Sequence, residues 1–147
     1  MLLSRKILPA LCLLGILGLA ACDSSTEPLV PEPLSWSAAL VPEAGATLTG
    51  SLSAQSSDTG FTSAIQVEDG AENAAFLWHV GEGAACDLEA RIGDEADYPA
   101  LETDENGTAS AEATVAHVLD AEEAYHVVVL SADGHVLMAC GELVSEE

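Results

Sequence analysis

Phe76-Leu77-Trp78-His79-Val80-Gly81-Glu82-Gly83-Ala84-Ala85-Cys86 reads as an apolar strand that runs into a glycine-rich turn and ends on a cysteine. Its counterpart near the C-terminus is Leu137-Met138-Ala139-Cys140-Gly141. Two strands that each carry one cysteine suggest a staple across a β-sandwich. A histidine at the end of a strand beside such a staple is also a place where a metal could bind.

Cysteine arithmetic supports the staple. The chain has four cysteines, Cys12, Cys22, Cys86 and Cys140. Cys12 lies in the apolar part of an N-terminal export segment and Cys22 directly after it, which leaves Cys86 and Cys140. An even pair in an exported domain reads as a disulfide. No CxxC motif supports a redox-active or metal-ligating pair.

Met1–Ala21 has the build of a targeting segment. Arg5 and Lys6 form a basic n-region, Ile7 to Gly18 an apolar h-region too short to span a bilayer comfortably, and Leu19-Ala20-Ala21 precedes Cys22. Leu-Ala-Ala-Cys resembles the lipobox of bacterial lipoproteins. That resemblance implies cleavage before Cys22, lipidation of Cys22, and a domain held on a membrane of the bacterial cell envelope. The domain would face the periplasm or the cell surface. Several acyl chains anchor stably where one binds marginally. Residues 22–33 hold Ser24, Ser25, Thr26, Pro28, Pro31 and Pro33 with little to bury, as expected of a flexible tether. Residues 34–147 leave room for one domain.

Charge excludes whole classes of partner. The only basic residues are Arg5, Lys6 and Arg91, and all 25 acidic residues follow Ala21, so the chain from Cys22 onward carries 1 − 25 = −24. A chain with one Lys or Arg cannot neutralise a phosphate backbone, which excludes nucleic acid. A surface of this charge repels itself, and salt relieves the repulsion. An envelope protein or a glycan remains the open class of partner.

The mature chain is a succession of short runs and turns. Leu34–Leu40 and Ala46–Ala54 are candidate strands. Phe61–Glu68 alternates Phe61, Ser63, Ile65 and Val67 against polar neighbours, and Asp69-Gly70 closes it as a hairpin-type turn into the strand Ala74–Val80. Asp87–Pro99 is acidic and without period, hence a long loop. Asp104-Glu105-Asn106-Gly107 is a turn, Thr108–Val115 a strand, and Val118–Ala124 a loop or short helical turn. Tyr125–Ser131 and His135–Leu143 form a last hairpin around Ala132-Asp133-Gly134. Many short strands with regular turns predict an all-β Greek-key sandwich or barrel, with Phe76, Trp78, Val80, Val127 and Val129 in its core.

Trp78-His79-Val80, Gly83 and Cys86, with Met138-Ala139-Cys140-Gly141, resemble the copper/zinc superoxide dismutase fold and its bacterial relatives that lack the full enzyme. The resemblance implies a Cys86–Cys140 bridge and places His79 at the first copper-ligand position. It also puts Gly81 and Leu130 where further ligand histidines are expected, and Leu137 where the family has its substrate-guiding arginine. Copper cycling needs several imidazoles around one open ion. The expectation is therefore a degenerate, non-catalytic binding or structural module with no cofactor. The alternative is a copper-binding or superoxide-dismuting protein that uses His79 with further ligands, copper or zinc being the metal. His117, His126 and His135 stand singly, and His126 lies roughly 13 Å along its strand from Leu130. The acidic groups at Asp94–Asp97 and Asp104–Gly107 do not fit the EF-hand spacing and read as solvated turns.

Overall fold

A computed structural model describes residues 32–43 and 45–146. The expected signal segment Met1–Ala21, the lipidation site Cys22 and most of the tether lie outside the described residues. No helix among the described residues is long and apolar enough to cross a membrane.

The described residues are all-β, with eight strands: β1 (Leu34–Pro42), β2 (Thr49–Ser56), β3 (Phe61–Glu68), β4 (Ala75–Glu82), β5 (Leu101–Glu102), β6 (Ala109–Val115), β7 (Tyr125–Ser131) and β8 (Leu137–Glu146). All pair antiparallel in the order β5-β4-β7-β8-β1-β2-β3-β6, a sheet curled into a nearly closed barrel. The β3 alternation is fully realised: Phe61, Ser63, Ile65 and Val67 are buried and their neighbours exposed. Each large apolar side chain so buried stabilises by about 1.5–3 kcal/mol.

The core is filled from both halves of the sheet. Trp36, Leu40, Leu52, Ile65, Trp78 and Val127 meet inside it. The expected core residues Phe76, Trp78, Val80, Val127 and Val129 are all buried there. Trp36 and Tyr125 meet edge to face at 6.4 Å, and the Trp78 indole N–H donates to Pro99 O at 2.7 Å.

One turn joins different partners from those expected. Asp69-Gly70 does not close a hairpin, because β3 pairs with β2 and β6 whereas β4 pairs with β5 and β7. The turn docks instead on the Asp104–Gly107 turn: the Gly70 N–H donates to Gly107 O and the Asn73 N–H to Asp104 O. The chain crosses the barrel end here, with Asp69 and Asn73 both at positive φ. The β7–β8 hairpin around Ala132-Asp133-Gly134 is present as expected. Val118–Ala124 forms no helix.

Strands β4 and β7 are covered on both faces. Along β7, Tyr125 to Leu130 are all buried, without alternation. The barrel core covers one face, and the segment from Gly83 to Pro99 covers the other. That segment is more ordered than its polarity suggests. Arg91 bridges to Gly81, the Ile92 N–H donates to Val80 O, and Ile92 and Tyr98 are buried. A short 3-10 turn, Glu95–Asp97, completes it, and the Asp94 N–H donates to the Asp97 carboxylate.

Candidate functional site

The outer face of β4, β7 and β8 presents three rows in register. Leu77, Leu130 and Leu137 form the first, His79, Val128 and Cys140 the second, and Gly81, His126 and Glu142 the third. Val128, Leu130 and Cys140 make a small apolar cluster with Leu77, Leu88 and Leu137, separate from the main core. Cys140 bonds to Cys86 across 54 residues, with the Cα atoms 6.0 Å apart. The bridge thereby clips the covering segment onto the row that holds His79. Closing a loop of this length is worth about 4 kcal/mol by chain entropy.

His79 and His126 are diagonal neighbours on this face, a spacing at which side chains still reach one another. His79 is 2 % exposed, and its Nε2 has no hydrogen-bond partner. Burial, then the Arg91 guanidinium, then His126 push its pKa down to about 4, so the ring is neutral at pH 7. The Tyr98 ring lies 6.4 Å away, and the Tyr98 hydroxyl donates to Ile92 O. Burial raises the Tyr98 phenol well above its ordinary value.

His126 is fully buried, with a backbone carbonyl oxygen facing each ring nitrogen, one of which donates. Its Nδ1 is 2.8 Å from Gly83 O and its Nε2 3.1 Å from Asp87 O. Its ring lies over Gly81, where an added Cβ would come within 2.6 Å of Cε1 and Nε2. Sequence reasoning measured His126 against Leu130 along its own strand and missed that it stands opposite Gly81. The register of two strands 45 residues apart was the missing information.

These residues do not fit a copper centre. Of the positions the resemblance marks, only His79 holds a nitrogen donor, since Gly81 and Leu130 bring none. His126 stands beside them with both nitrogens turned to carbonyl oxygens. Among the described residues no group of three or more His, Cys, Asp or Glu is placed to hold a metal. His117 is half-buried on the β6–β7 connection and His135 exposed beside the β7–β8 turn. The acidic turns serve themselves: the Asp104 carboxylate accepts the Asn106 and Thr108 N–H groups, which hold its pKa below the ordinary value.

A cavity of about 350 Å³ opens beside His79. Leu88, Arg91 and Glu95 of the covering segment line it, together with Leu130 of β7 and Asp133 and Gly134 of the β7–β8 turn. Arg91 is the only Lys or Arg after Ala21. Its guanidinium lies 4.0 Å from the exposed Glu95 carboxylate, a surface pair that holds it weakly. No protein-family model matches the chain, and no curated protein compared with it gives a match.

Proposed function

We propose that this chain is a lipid-anchored protein of the bacterial cell envelope whose superoxide-dismutase-like sandwich acts as a non-catalytic binding or structural module. The Leu19-Ala20-Ala21-Cys22 lipobox and the Pro-rich tether support the anchor. The strand order, in which β3 passes to β6 and β4 to β7, supports the Greek-key reading. The Cys86–Cys140 bridge between β8 and the turn after β4 supports the dismutase-like type. The observation that carries the non-catalytic reading is the state of His126. Beside His79 the one neighbouring imidazole has both nitrogens on backbone carbonyls, and a glycine stands beneath it. Redox cycling at copper cannot run on the single remaining ring. The partner then belongs to the envelope, as a protein or a glycan.

The anchor is tested by the intact mass of the full chain expressed in a bacterial host. The expected product begins at Cys22 and carries diacylglyceryl and acyl groups, whereas Cys22→Ala stays uncleaved. A wild-type product that begins elsewhere without lipid would overturn the anchor.

A further inference from the structure

We infer that the outer face of β1, β2 and β3 is the interface through which two copies of this chain pair. On that face every outward side chain from Ser35 to Ala39, from Ser51 to Gln55 and from Thr62 to Gln66 is Ser, Thr, Ala or Gln. The register sets Ser37, Ser53 and Ala64 side by side as the middle row. No carboxylate stands in this block, although the chain from Cys22 onward carries −24. The block continues onto Val41 of β1 and onto Val144 of β8, which lies opposite Ser37. At 63 % and 62 % these are the two most exposed large hydrophobic side chains among the described residues.

Charge and chemistry together select a second copy. Two chains of −24 repel wherever a contact brings carboxylates together, and this block is a place where two copies can touch without opposing charges. An isologous contact also demands a surface that complements itself. Ser and Thr hydroxyls and the Gln amide each donate and accept, so the block can hydrogen-bond to its own copy, which a row of carboxylates cannot do. Val41 and Val144 add apolar area that pairing removes from water. With the flanking rows on β6 and β8 the face spans five strands, about 24 Å across and about 23 Å along. A pair then buries about 1,100 Å², at the low end of specific interfaces, which makes the dimer a weak one. Glu112 on β6 and Glu142 and Glu146 on β8 rim the block, so salt favours pairing by screening the rim and the net charge. Pairing through this face is independent of whether His79 holds copper.

Sedimentation equilibrium of the full-length chain in density-matched detergent micelles tests this. At about 0.5 M NaCl the wild type should dimerise with a Kd of about 100 μM or tighter, and at about 20 mM NaCl at least about tenfold more weakly. Ser53→Glu and Ala64→Glu, on two strands of the block, should each weaken the dimer by at least about tenfold at the higher salt. Ala84→Glu adds the same charge at an exposed position after β4 and should leave the dimer unchanged. A wild type that stays monomeric at both salt concentrations would overturn the inference and leave the face to a different partner. Full-strength dimers in a folded Ser53→Glu or Ala64→Glu chain would overturn it by placing the contact elsewhere, in the anchor or on another face. Equal weakening by Ala84→Glu would overturn it by assigning the effect to net charge alone.

Discussion

His126 lies directly opposite Gly81 across the β4–β7 ladder, and its imidazole fills the volume that any side chain at position 81 would need. The two residues are therefore one unit. The glycine admits the ring, and the ring sits with Nδ1 against Gly83 O and Nε2 against Asp87 O, the tautomer setting which nitrogen donates, at the start of the covering segment. Through that unit the strand pair, the disulfide loop and the wall of the His79 cavity are held together.

Gly81→Ala should accordingly destabilise the domain by about 2–4 kcal/mol, from overpacking plus the loss of buried hydrogen bonds. Gly83→Ala is the comparison: it meets nothing within 4 Å and costs only its positive φ of 89°, about 1 kcal/mol. Urea denaturation of both variants measures the difference. Equal losses would mean that the His126 ring moves aside freely.

Reduction of Cys86–Cys140 should lower stability by about 4 kcal/mol, because the bridge closes a loop across 54 residues. Denaturation with and without dithiothreitol reads this directly. Amide exchange should rise first in residues 83–99, which are tied down by the bridge, the Arg91–Gly81 pairing and the His126 contacts.

His79 should make the fold sensitive to mild acid. Its folded pKa of about 4 lies below the ordinary 6.5, so between those values the unfolded chain binds a proton that the folded chain refuses. Its stabilisation is full above pH 6.5 and is lost as pH falls toward 4, amounting to about 2–3 kcal/mol. Burial contributes most to this, then Arg91 and His126. The gap in unfolding free energy between wild type and His79→Leu, measured at pH 7 and at pH 4.5, should shift by about 2 kcal/mol in favour of the variant at the lower pH. An unchanged gap would show that the ring is solvated.

Much of this fold was legible where one face of a strand meets water. In β3 the alternation of Phe61, Ser63, Ile65 and Val67 states both the strand and its inward side, and burial follows it residue by residue. Where both faces are covered, as in Tyr125–Leu130, periodicity carries no such information, and the outer cover went unread. The polar composition of Asp87–Pro99 signalled a loop but hid Ile92 and Tyr98, which anchor it inward. Asp69-Gly70 looked like a hairpin because turn chemistry is local, whereas the pairing of β3 with β6 is a long-range choice. The site followed the same division. His79 and the two cysteines stood out by residue type, while His126 acquired its role only through the register that sets it against Gly81.

The central claim is that the outer face of β4, β7 and β8 around His79 holds no copper centre. The most direct measurement is copper and zinc content of the purified full-length chain after loading with Cu²⁺ and Zn²⁺ and desalting, beside a His79→Ala variant. Equal, substoichiometric metal in both samples is the expected result. One copper retained per wild-type chain and lost in His79→Ala would contradict it.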